Sequence, residues 1–287
     1  MNIPFTKHRL SNGLEIVVHE DRGCPIVAVN VWYHVGSKNE SPERTGLAHL
    51  FEHLMFEGSQ HHGKSYHEPL QEAGGAINGS TNADRTNYWE VVPTNALERA
   101  LWMESDRMGY LLPALTDAKL QTQRDVVLNE RRQNYENRPY GMAGMVILEG
   151  LYPPDHPYSW PTIGRPEDVR AATLDDARAF FETYYRPRNA SLAIAGDVDT
   201  TYALRLVEEC FGPLDGGREP PPVPHVTPAV LDAEKRFVLE DRVELPRLYL
   251  AWLSPALFAP GDAELDLAAD VLAGGKASRL YLSLIHI

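Results

Sequence analysis

Cysteine is scarce in this 287-residue chain: Cys24 and Cys210 are the two, far apart and in no C-x-x-C arrangement. Their placement excludes a disulfide framework and a thiolate metal site, and both thiols read as small buried hydrophobes. Long apolar runs are also lacking. None approaches the roughly 18–20 residues that a bilayer span requires, so no membrane span is expected. Met1 to His8 hold neither an apolar stretch nor a small-residue cleavage site. No secretory leader is therefore expected in the chain as it stands, which reads as cytoplasmic, or periplasmic where a leader has been removed. Positive charge is in deficit, with Lys+Arg 27 against Asp+Glu 40 and a formal net charge of −13, and no window is rich in Lys or Arg. Such a field repels phosphates and argues against nucleic acid as a partner. The absence of G-x-G-x-x-G, Walker and G-x-S-x-G elements removes dinucleotide, ATP and serine-hydrolase readings.

What is present is a composition of 43% hydrophobic and 23% charged residues, that of a globular protein. An Asn12-Gly13 turn beside a β-branched run to Val18, then the alternating Ile26 to Tyr33, opens the chain with a sheet. Helices are expected over 47–56, stopped by Gly58, and over 67–73, stopped by Gly74-Gly75. Alternation between Ala76 and Val92 reads as a hairpin, and three-and-four spacing marks helices over 96–110 and 117–136. A helix over 173–185, a short buried strand over 190–195 and a helix over 200–211 follow. Gly212-Pro213, Gly216-Gly217, Pro220 to Pro222, Pro224 and Pro228 then crowd one window and mark a linker. Beyond it, strands are expected over 236–239 and 247–252 and a helix over 263–272, running into Gly274-Gly275. This order repeats that of the N-terminus without its histidines. The reading is an α+β protein with helices packed against a sheet: one complete lobe, residues 1–211, a linker, 212–230, and the incomplete start of a second related lobe, 231–287, whose last residues 282–287 are an unreliable end.

Chemistry concentrates in His49-Leu-Phe-Glu-His53. Histidines at i and i+4 leave one helix face about a turn apart, close enough for two imidazoles to share one tetrahedral cation. Glu52 leans over the same face, the arrangement of an inverted zinc motif. Leu47, Leu50, Phe51, Leu54, Met55 and Phe56 make this helix apolar almost all round and hence buried, and buried imidazoles and carboxylates need partners, which a metal supplies. A third ligand is required, and the 117–136 helix offers Asp125, Glu130 and Glu136. Glu130, after Val126-Val-Leu128, is expected to point inward and Glu136, near the helix end, to be solvated, but spacing leaves the choice open. Trp89, Trp102, Trp160 and Trp252 read as core or interface anchors, and His61, His62 and His67 receive no role.

His49 to His53, then Gly75-Ala-Ile-Asn-Gly-Ser-Thr81 with Asp84 and Thr86, then Arg124 to Glu130, resemble in order and spacing the pitrilysin/insulinase family of zinc peptidases. The resemblance runs from about Phe5 to the end. It implies one zinc per chain on His49, His53 and Glu130, with Glu52 as catalytic base of a metalloendopeptidase. It implies further that an extended peptide is bound as an added strand beside the zinc, where Asn78-Gly79 stands for the family's Asn-Ala. Many members carry a glutamate seven residues before the third ligand as support from behind; here that position is Gln123, which adds no charge. The family encloses its substrate between an active lobe and a related inactive half, supplied in cis or as a partner chain, and Gly274 to Arg279 resembles the start of that half. The main alternative is a non-catalytic partner subunit of a heterodimeric peptidase-like assembly; a zinc-free helical interaction protein is a third class.

Overall fold

The computed structural model describes residues 3–63, 65–223 and 229–285. Pro224 and Pro228 of the expected linker, and the final two residues of the expected unreliable end, lie outside the described residues. Six strands form one sheet: β1 (Thr6–Arg9), β2 (Glu15–Glu20), β3 (Ile26–Tyr33), β4 (Ala76–Thr81), β5 (Thr86–Pro93) and β6 (Ala190–Gly196). Its order is β1-β2-β6-β3-β5-β4. The pairings are antiparallel except β2 with β6, so the late strand β6 is central and β4 is an edge. The Asn12-Gly13 turn sets the first hairpin, with Arg9 opposite Glu15 and Gly13 at φ 99°.

The helices are α1 (Leu47–Leu54), α2 (His67–Glu72), α3 (Leu97–Tyr110), α4 (Asp117–Arg131), α5 (Ala143–Leu151), α6 (Pro166–Ala171), α7 (Leu174–Tyr184), α8 (Thr200–Phe211), α9 (Asp262–Ala273) and α10 (Arg279–Ile285). Together they make the α+β architecture expected from the sequence. Alternate strand positions Ile16, Val18, Val27, Val29, Val31, Tyr33, Tyr88, Val92, Leu192 and Ile194 are buried in one core with Leu50, Phe51 and Leu54 of α1. Trp32, at an intervening position, is exposed. Local chemistry starts the helices. Thr116 accepts from the Lys119 amide before α4, Thr173 and Asp176 form a capping box on α7, and Asp199 accepts from the Tyr202 amide before α8. α1 instead begins at Gly46, at φ 92°, and takes its cap from further back: Glu40 accepts from the Gly46 and Ala48 amides, at 2.8 Å each.

The chain divides into two compact units, Met1–Thr227 with Leu239–Val243, and Pro228–Val238 with Glu244–Ile287. In the first, Asn12 Nδ2 donates to the carbonyls of Phe211 and Leu214, so the chain leaving α8 is tied to the first hairpin. In the second, α9 and α10 are helical; the strands expected over 236–239, which ends in the first unit at Leu239, and over 247–252 are not formed. A strand exists through its ladder, and neither segment forms one; Val238 is 93% exposed and Leu248 84%. Trp252, expected as an anchor, is 74% exposed for the same reason. Trp102 is also exposed, whereas Trp160 is buried and donates Nε1–H to the Ser37 carbonyl. Both cysteines depart from the expected burial: Cys24, in the β2–β3 turn, is exposed and Cys210, in the last turn of α8, is half-buried. The helix expected over 117–136 is α-helical only to Arg131 and ends in a π-helical turn, Arg132–Glu136.

Candidate active site

Burial of α1 through Leu50, Phe51 and Leu54 leaves His49, Glu52 and His53 at the surface that meets α4 and β4. Glu130 arrives from α4. Its Oε2 lies 3.6 Å from His49 Nε2 and 3.3 Å from His53 Nε2. The two imidazoles stand edge to face, centroids 4.9 Å apart. Among the described residues these three form the group able to hold a metal ion, one ligand atom from each within 4.8 Å of the others. The other two candidates on the same stretch point elsewhere: Asp125 is exposed and accepts from Gln121, and Glu136 is exposed and pairs with Arg131 at 3.0 Å.

The electrostatics suit a cation. Burial, then the neighbouring His53, hold His49 down at about 4, with Glu130 opposing, so this imidazole is neutral at neutral pH. Hydrogen bonding to His53 pulls Glu130 below the ordinary carboxylate range, so it is ionised. Neutral imidazole and ionised carboxylate are the ligating forms. Two nitrogens and one carboxylate oxygen are the donor set of zinc centres with three protein ligands and an open position. The residues present therefore fit the metal. Glu130 is further held by Asn134, whose Nδ2 donates to the other oxygen, Oε1, at 3.3 Å.

Glu52 does not join the ligand cluster. Its Oε2 accepts from Thr81 Oγ1 at 2.6 Å, and burial raises its carboxyl above the ordinary range despite that bond. Gly79 faces the same side chain from β4: a Cβ there would come within 3.3 Å of Glu52 Cγ and 3.2 Å of both Phe56 and Tyr88. Asn78 is exposed and its Oδ1 accepts from the Gly79 amide at 2.8 Å. Among the described residues, the strand bearing both residues pairs with β5 on one side only, leaving its other edge open. Gln123 is buried on α4 and donates to Glu57 Oε1 at 2.7 Å, so it joins α4 to the chain after α1 instead of contacting an imidazole.

A cavity of about 240 Å³ opens over these groups, lined also by Ser80, Tyr135, Thr162 and Ile163. Sequence reasoning missed these four and the hydroxyl of Thr81. Thr81 was accessible to it, because positions two apart on a strand share a face; Tyr135, Thr162 and Ile163 are brought in by tertiary folding and carry no local signal. Beneath the site Tyr88 donates to the Phe51 carbonyl at 3.2 Å. Arg107, fully buried and paired with Glu104, lies over the Tyr66 and Tyr88 rings at 3.9 and 4.2 Å.

Against known proteins, the family described as Insulinase (Peptidase family M16) matches residues 15–147 and the Peptidase M16 inactive domain matches 171–286. The chain is 31% identical over 280 residues to the zinc protease PqqE of Helicobacter pylori, covering 96% of this chain and 62% of that protein. It is 25% identical over 276 residues to subunit 1 of the bovine (Bos taurus) mitochondrial cytochrome b-c1 complex, covering 94% of this chain and 56% of that protein. The crystal structure of a protease from Helicobacter pylori superposes with a TM-score of 0.81 at 26% identity, over 99% of this chain and 68% of that one. The chain spans about six tenths of the length of PqqE.

Proposed function

Because the chain belongs to the pitrilysin/insulinase family, peptidase family M16, we infer that it is a zinc-dependent endopeptidase acting on extended or unfolded peptides. The observation that carries this reading is the separation of roles within one helix turn: His49 and His53 converge with Glu130, while Glu52 is held apart from them by Thr81. His49, His53 and Glu130 would hold one zinc ion per chain. When bound, zinc supplies Lewis acidity that polarises the scissile carbonyl and makes a water more acidic.

The protein's own groups do the rest. Glu52, in its carboxylate form, takes a proton from the water that attacks the carbonyl carbon and delivers it to the amine nitrogen as the C–N bond breaks. A base raised by burial above an ordinary carboxylate is better matched to this task near neutral pH. An extended peptide would pair with the open edge of β4, its main chain bonded and its side chains sampled in the cavity, with Asn78 and Gly79 at the point of contact. Gln123 supports the site through α4 and not by touching a ligand. A second M16 half, in cis or as a partner chain, would close over the peptide.

A non-catalytic partner subunit is the second reading, favoured by the match of residues 171–286 to an inactive domain and by the likeness to a cytochrome b-c1 subunit. The intact ligand set and Glu52 weigh against it. The two are separated by measuring zinc and hydrolysis of a quenched fluorogenic peptide on the same samples. Glu130→Ala is expected to lose most of the zinc. Glu52→Gln is expected to keep it and to lose hydrolysis by about two orders of magnitude. Zinc loss in Glu52→Gln would remove its role as base, and wild-type protein fully loaded yet inert, alone and with a second half, would favour the partner-subunit reading.

A further inference from the structure

A glutamate has three side-chain rotors, and as a general base it is efficient only if its carboxylate waits where the proton will be. α1 fixes the Cα of Glu52 but not its oxygens. Among the described residues, the bond from Thr81 Oγ1 is the one hydrogen bond made to that carboxylate, and it goes to Oε2. Oε1 stays free.

Thr81 is the last residue of β4 and lies opposite Thr86 at the closed end of the hairpin. Two residues earlier on the same face, Gly79 leaves the space that the Glu52 methylenes occupy. The outer strand thus accommodates the base by a missing side chain at one position and grips it by a hydroxyl at the next. We propose that Thr81 is a positioning residue that fixes the Glu52 carboxylate, so that the strand with the open edge also sets the orientation of the base. The inference rests on the reading of Glu52 as the proton acceptor.

The test uses the zinc-loaded 287-residue chain, assayed alone and with an M16 inactive-type half supplied, and four variants: Thr81→Val, Thr81→Ser, Glu52→Gln and the double variant of Thr81→Val with Glu52→Gln. Thr81→Val removes the donor at nearly constant shape, and Thr81→Ser restores it. In crystal structures the Glu52 carboxylate is expected to swing away from its wild-type position in Thr81→Val and to return in Thr81→Ser, with zinc content and thermal midpoint little changed. On an internally quenched, unstructured peptide, Thr81→Val is expected to lower kcat by about 10- to 100-fold, the range for one hydrogen bond to a charged group. KM should stay within about twofold and Thr81→Ser should recover most of the rate, since a hydroxyl acting through the base leaves substrate binding alone. Adding Thr81→Val to Glu52→Gln should cost nothing further, as expected for two residues in one unit. A carboxylate unmoved in Thr81→Val, an unchanged kcat, or an additive loss in the double variant would overturn the proposal. Absence of hydrolysis by the wild-type chain, both alone and with the second half supplied, would count against the peptidase reading instead, and the carboxylate position would then decide the role of Thr81.

Discussion

A buried carboxyl with neither oxygen bonded is tolerable only with its proton on. Glu90, on the core face of β5, is in this condition: fully buried, with neither oxygen accepting a hydrogen bond among the described residues and with the carboxyl of Glu104 as its polar neighbour. Burial, then the charge of Glu104, push it well above its ordinary 4.5, against the pull of Arg107. A raised folded-state value contributes stability that is fully present below the unfolded value and is lost as pH rises through the folded one. Resistance to urea is therefore expected to decline above about pH 5, by up to about 1.4 kcal/mol per unit for this one proton, and Glu90→Gln should flatten the decline. Parallel urea midpoints for the two proteins between about pH 5 and 9 would take Glu90 out of the account. At this scale much of the geometry of the candidate site is legible. His49, Glu52 and His53 share one turn of one helix, so spacing suffices. Glu130 had to be picked from three acids on one stretch, and what distinguishes it, the direction in which α4 packs on α1, is not local information.

Helix α1 shows how an element is aimed. Its first residue follows Gly46 in the left-handed region, and a Cβ there would come within 2.8 Å of Val169 Cγ2 and 3.1 Å of the Ile163 carbonyl. Both the backbone twist and the close approach of residues 163–169 call for glycine. Gly46→Ala is expected to destabilise the protein by more than about 1 kcal/mol in chemical denaturation, and to weaken zinc binding because His49 lies in the first turn that would shift. Unchanged stability and zinc affinity would mean that the α1 entry relaxes freely. Element types were largely readable where the period was clear, as in α3 and the β4–β5 hairpin, and more so where a cap agreed with it, as in α7 and α8. α5 escaped because Ala143–Leu151 is apolar with almost no polar face, which leaves no period to detect. α6 had a signal, Pro166 followed by Glu167 and Asp168 in the first turn, that passed unread. The strands expected over 236–239 and 247–252 failed for the opposite reason: an apolar alternation specifies a willingness to pair and not a partner.

At the scale of the molecule, His49, Glu52, His53 and Glu130 lie together in the first compact unit. Zinc binding is therefore expected of this chain by itself, whereas fast hydrolysis is not. A site open on one side leaves developing charge in high dielectric and the peptide held along one edge. Supplying an M16 inactive-type half, in cis or as a separate chain, is expected to raise kcat and lower KM together at unchanged zinc content. Equal kcat/KM with and without it, on one fluorogenic peptide at matched zinc occupancy, would show the first unit to be self-sufficient. The order of the sheet is the part of the fold least visible in sequence, since nothing within residues 190–196 says that they belong between β2 and β3.

That order has a consequence for the making of the protein. The helices that carry His49, His53 and Glu130 are synthesised by Arg131, yet the strand that joins β2 to β3 is complete only at Gly196. At about 5–20 residues per second, a nascent chain holds two unpaired inner strand edges for roughly ten to thirty seconds after β3 is made. The keystone is laid last, and until then β2 and β3 are each exposed to whatever strand reaches them first.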